Sequence, residues 1–219
     1  YSPLRHWKAG SGKTVGIVSE RDYARKVADV FDSVYQVEVQ EFGFDAPPFE
    51  ETLSQYSSYV LDFRGSVYGQ TLFNLPLPSS GTARPCYASH MEIDNDFLGY
   101  ETRGLDGLRV TAAHEFHHMV QLGTYGLWLN DRWMHELSST YFEEAVYPHI
   151  NDYLQYIRTF MRNTERTMWS WGADGYDGVV CVEFVAHQQL LDAGWDFQRE
   201  TARLKEILES AEGCRVMGI

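Results

Sequence analysis

His114-Glu115-Phe116-His117-His118 sets two histidines four residues apart, with a glutamate directly after the first. On a helix, positions i and i+4 share a face. Both imidazoles can then reach one zinc ion, and Glu115 can stand beside a metal-bound water as general base. From 8 His and 17 Glu in 219 residues, about 0.02 chance matches to this HExxH pattern are expected, so its surroundings must decide. The plain alternative is a histidine-rich helix surface.

The surroundings favour a site. Leu105, Leu108, Ala112, Phe116, Met119 and Val120 follow helical spacing and predict a core-directed face. His114 and His118 fall on another stripe, with Val110 one turn earlier. The spacing predicts a helix from about Asp106, as N-cap, to Leu122, with Gly123 just past its end.

A catalytic zinc keeps three protein ligands and leaves one position for water. The metzincin extension is absent, because positions 121 and 124 hold Gln121 and Thr124 rather than glycine and histidine. In the gluzincin arrangement the third ligand is a glutamate on a following helix. Asn130 to about Tyr147 predicts such a helix, capped by Asn130 and stopped by Pro148. Trp133, Met134, Leu137, Tyr141, Ala145 and Val146 form its core stripe; Glu136, Thr140 and Glu143 line another face. Glu136 is the expected ligand, with Glu143, seven residues on, as the alternative. Thr140 and Glu143 are both placed to hydrogen-bond a ligating histidine. His117 and His135 fall off the ligand stripe and read as structural.

The span from Tyr87 to about Tyr156 resembles a family of secreted bacterial metalloproteases. The matching pieces are IDNDF (Ile93 to Phe97), VTAAHEFHHMVQ (Val110 to Gln121), WMHE (Trp133 to Glu136) and FEEAVYPHINDYLQY (Phe142 to Tyr156). Tyr59 to Asp62 and Tyr68 to Thr71 fit more loosely. The resemblance implies a zincin fold, with His114, His118 and Glu136 as ligands and Glu115 as catalytic base. It carries no substrate.

The elements that must position these residues read as α+β: a small mixed sheet, the HExxH helix, and a mostly helical C-terminal part. Residues 1–122 form an N-terminal α/β subdomain, and 123–219 a subdomain carrying the third ligand. Strands are expected over Thr14–Ser19, Ser58–Phe63 and Tyr87–Ile93, and a helix over Asp22–Glu41, where Val34 to Val39 blurs the boundary. Ser66–Cys86 is rich in Gly, Pro and Ser and reads as a long loop. Further helices are expected over Asn151–Arg162, Val179–Leu191 and Thr201–Ala211, around an aromatic loop at Trp169–Gly178.

The net charge of −13 argues against nucleic acid and anionic membranes as partners. No apolar run approaches the ~18 residues of a span. Tyr1-Ser2-Pro3 does not read as a signal peptide but as a mature or trimmed start, so a secreted protein is expected. Cys86, Cys181 and Cys214 lack metal spacing and allow one disulfide or none. Asp94, Asn95 and Asp96 offer hard oxygens for Ca2+ or form a plain acidic turn. Tyr176 and His187 are candidates to stabilise an oxyanion. The expected function is zinc-dependent endopeptidase cleavage of a protein or peptide, with the strand at Tyr87–Ile93 offering its edge to the substrate. The alternatives are a non-catalytic zinc domain that binds a partner, or a zinc hydrolase of small amides or cell-wall peptides.

Overall fold

Val27, Val30, Phe31 and Val34 recur at the three- and four-residue spacing of one helical face, and all four are buried. They lie on α1 (Glu20–Tyr35) in a computed structural model that describes residues 4–9, 20–50, 53–77, 84–127, 132–156 and 162. The β-branched stretch that follows does not leave the helix. It widens into a π-helical segment, Gln36–Glu41, which turns Glu38 into the interior.

The sheet has β1 (Leu4–Ala9), β2 (Tyr56–Leu61), β3 (Gly69–Pro76) and β4 (Tyr87–Asp94), in the order β1-β2-β4-β3. β1 runs parallel to β2, β2 parallel to β4, and β3 antiparallel to β4. Met91 and Ile93 on β4 are fully buried, and the sheet packs on α2 (Gly104–Val120) through β3 and β4. α1 covers α2 from another side, and α3 (Arg132–Val146) completes the packing. Phe31, Phe97, Phe116, Met119 and Phe142 meet in one core. The coarse class is α+β with a mixed sheet.

Several local expectations need correction. β3 lies inside the stretch read as a long loop. The Gly, Pro and Ser of that stretch bound the strand, and Gln70 to Leu75 inside it carry no breaker. β4, expected to offer an edge, is paired on both sides; the outer strand next to it is β3. α2 starts at Gly104, so Asp106 sits in its first turn and pairs with Arg109 at 2.9 Å rather than capping. Leu105, placed on the core face, is 43 % exposed because it lies in that first turn. The helix does not end before Gly123. It continues as a π-helical segment, Gln121–Tyr125, and Gly126 follows at φ +74°. Gly123 instead allows close approach of Pro48, whose Cδ would lie 2.2 Å from an added Cβ.

The core stripe proposed for α3 is only partly buried at Leu137, Tyr141, Ala145 and Val146. Its deeply buried face is Ser138, Ser139, Thr140, Phe142, Glu143 and Glu144. The expected strand at Thr14–Ser19, the cap Asn130 and the features from Trp169 onward lie outside the described residues. After Val146 a turn leads to three helical residues, Leu154 to Tyr156, at the start of the helix expected over Asn151–Arg162. Among the described residues no helix is long and apolar enough to cross a membrane.

Candidate metal centre

The contacts between α2 and α3 descend one helix as they climb the other: His114 meets Glu143, His118 meets Ser139, and Gln121 meets Ser138. The helices are therefore antiparallel, and Glu136 falls opposite the gap between the two histidines. His114 Nε2 lies 3.1 Å from His118 Nε2 and 3.2 Å from Glu136 Oε2; His118 Nε2 lies 3.4 Å from the same oxygen. Tetrahedral N and O ligands at zinc distances sit about 3.3–3.4 Å apart. The three atoms thus form one face of a tetrahedron of the right size. Among the described residues this is the single group of His, Cys, Asp and Glu that could hold an ion.

The outer partners are in place as well. A ligating imidazole normally offers its second nitrogen to a carboxylate, carbonyl or amide oxygen. His114 Nδ1 lies 2.7 Å from Glu143 Oε1. His118 Nδ1 lies 2.8 Å from Gln121 Oε1 and 3.1 Å from Ser139 Oγ. The Gln121 amide in turn donates to the His135 carbonyl and to Ser138 Oγ. Glu143, the alternative ligand, therefore occupies the outer position, one ring away from the ligand triangle. Thr140, the other candidate for that role, is buried with its Oγ1 unpartnered.

The electrostatics suit a cation. Burial alone would raise Glu136, but His118 and His114 outweigh it and hold its carboxyl well below the usual range. Burial pushes His114 down, yet Glu136, Glu143 and Glu115 more than reverse this and hold it well above an ordinary histidine. Burial drives Glu143 up to about 7 against the opposing pull of His114. Two carboxylates around one imidazole demand positive charge, which a proton or a metal ion can supply.

Glu115 is buried on α2, outside the ligand triangle, and is in contact with the sheet. Thr71 on β3 holds it: Thr71 Oγ1 lies 2.7 Å from Glu115 Oε2 and 2.9 Å from the Glu115 carbonyl oxygen. Gly69 makes the approach close enough. A Cβ there would stand 2.6 Å from Thr111 Cγ2 and 3.2 Å from Glu115 Cγ.

No protein-family model, curated protein or solved structure matches the chain.

His117 and the acidic turn have structural partners. His117 is fully buried, stacks on Phe142, and meets Glu38 Oε2 at 2.9 Å. Burial raises Glu38 and lowers His117, favouring the uncharged form of each under α2. Asp94 Oδ1 accepts the backbone N–H groups of Asp96 and Phe97, and Oδ2 accepts that of Phe63. These bonds are those of a turn cap, and no second ion site forms there among the described residues. The sequence allows one disulfide or none among its three cysteines. Cys86 is buried; Cys181 and Cys214, and the oxyanion candidates Tyr176 and His187, lie outside the described residues. Thr71, Gln121, Ser139 and Glu38 were missed by sequence reading. Gln121 alone carried a local signal, lying one turn beyond His118 on its own helix.

Proposed function

We propose that this chain is a zinc-dependent endopeptidase of gluzincin type on a zincin fold, akin to the secreted bacterial metalloproteases that its motifs resemble. The observation that carries the reading is the ligand triangle of His114, His118 and Glu136 with a buried carboxylate, Glu115, beside it rather than in it. A purely structural zinc takes all four ligands from protein and has no use for that base. This favours hydrolysis over the partner-binding alternative.

Zinc, when bound, would polarise the scissile carbonyl and lower the pKa of a bound water. The residues of the chain do the rest. His114 and His118 present their Nε2 atoms because Glu143 and Gln121 hold the other ring nitrogens. Glu115 Oε2 is fixed by Thr71, which leaves Oε1 to accept a proton from the attacking water and pass it to the leaving amine. β3, an outer strand, has an edge that is unpaired among the described residues, and it carries Thr71 at the base. An extended peptide pairing along β3 would run past Glu115, which suits a polypeptide better than a small amide.

The test is Glu115→Gln. The amide keeps the size and the contact with Thr71 but cannot accept the proton. The variant is expected to fold and to hold zinc at the wild-type level while losing hydrolysis by at least about a hundredfold. Retained hydrolysis would remove Glu115 from the mechanism.

A further inference from the structure

A cavity of about 600 Å³ opens beside His114 and Glu115, between the start of β3 and the turn at Asp152. Its lining is rich in carboxyl groups, with His114 as the one basic side chain among them. Glu101, Glu115, Glu143 and Asp152 contribute four carboxyl groups, and no Lys or Arg among the described residues lines it. Tyr68 and Tyr156 supply aromatic surface.

The acids have different uses. Glu143 is committed to His114 and Glu115 to Thr71. Asp152 is committed to neither. It is 7 % exposed; its Oδ2 accepts the Gln155 amide at 2.7 Å, the Thr102 hydroxyl also donates toward the carboxyl, and its Oδ1 is buried without a close hydrogen-bond partner. A buried carboxylate oxygen without a donor is costly, and a cationic donor relieves that cost best. A second metal ion does not fit the observations, because the carboxylates of this cavity do not come within ligand distance of one another in threes. An organic cation does fit. It is long enough to reach in from the cleft, it brings several N–H donors, and it packs its stem and charge on tyrosine faces.

We infer that this cavity is a substrate subsite for a guanidinium or ammonium side chain, with the carboxylate of Asp152 as its inner partner and exposed Glu101 at its rim. The inference deepens the peptidase reading and rests on it for the word substrate: the enzyme would cut next to arginine or lysine. Arginine is the better occupant, since its planar fork can give one N–H to Asp152 Oδ1 and others to Glu101 or a tyrosine hydroxyl.

The experiment is calorimetric binding of Nα-acetyl-arginine amide and Nα-acetyl-citrulline amide to the zinc-loaded protein, with Asp152→Asn and Glu101→Gln alongside. Citrulline keeps the shape and removes the charge. The arginine compound is expected to bind at least about tenfold more tightly than the citrulline compound. Asp152→Asn should collapse that ratio, and Glu101→Gln should reduce it by a smaller factor, as suits a solvated charge. Equal binding of the two compounds by wild type overturns the inference, even if Asp152→Asn fails to fold. An undiminished ratio in a folded Asp152→Asn also overturns it. Because binding needs no turnover, Asp152-dependent arginine binding by a protein that cuts nothing would uphold the subsite and sink the peptidase reading. Cuts with no preference for arginine or lysine would do the reverse.

Discussion

Thr71 and Glu115 are 44 residues apart in the chain and 2.7 Å apart in space, with the Thr71 hydroxyl against a carboxylate oxygen of the proposed base. The edge strand is thereby tied to the helix that carries the ligands. In the proposed mechanism, substrate docking along β3 and the position of the base would share this one contact.

Removing that contact should slow the reaction without emptying the site. Thr71→Val keeps the strand former and the shape but deletes the hydroxyl. A fall in kcat of about 10- to 100-fold is expected, the usual cost of losing such an outer hydrogen bond. Zinc content should stay at the wild-type level. Steady-state kinetics with metal analysis checks this; loss of zinc would mean that Thr71 serves the fold rather than the base.

Glu136 and Glu143 should separate cleanly. Glu136→Ala removes a ligand atom from the triangle and is expected to weaken zinc binding by well over a hundredfold. Glu143→Gln removes only the charge beside His114 Nδ1 and should cost about 10–100-fold. Competition against a chromophoric chelator measures both. The reverse order would make Glu143 the ligand.

Gly69 is expected to resist any side chain. In Gly69→Ala the new methyl would meet Thr111 Cγ2, the Glu92 carbonyl oxygen at 2.9 Å and Glu115 Cγ. Overpacking of this kind costs about 1–3 kcal/mol. Denaturant unfolding should show that loss, and activity should fall as β3 is pushed off α2. A fully stable and active variant would contradict the close approach.

Glu144 should make stability depend on pH. It is buried with one oxygen unpartnered, and burial together with Glu143 and Asp152 raises its pKa to about 8. Between the unfolded value of about 4.3 and 8, the folded chain keeps a proton that the unfolded chain has lost, so stability falls as pH rises through that window. Glu144→Gln should match wild type near pH 5 and exceed it near pH 8.5, by on the order of 1–3 kcal/mol. Urea unfolding of chelator-treated protein at the two pH values checks this. An equal loss at both would show that the carboxylate is welcome where it sits.

How much of this was legible beforehand follows from which signals are local. The i, i+4 spacing of His114 and His118 and the helical face of α1 are set within one helix, so sequence carried them. Glu136 was reachable because a turn and an antiparallel return fix its distance from His118. β3 was hidden, because Gly69 and Pro76 bound a short strand inside a stretch of turn residues. With β3 missing, β4 was left as the apparent edge, and the contact of Thr71 with Glu115 had no local trace. The face of α3 was inverted for a related reason. Leu137 and Tyr141 look like core, yet Ser139 and Glu143 are buried more deeply because the histidines of α2 need polar partners.

The most direct measurement is digestion of unfolded casein by the zinc-loaded protein, with products read by mass spectrometry, with and without a zinc chelator. Internal cuts are expected that disappear with chelator and return on adding zinc. Intact casein, with one zinc per chain demonstrably bound by His114, His118 and Glu136, would contradict the account.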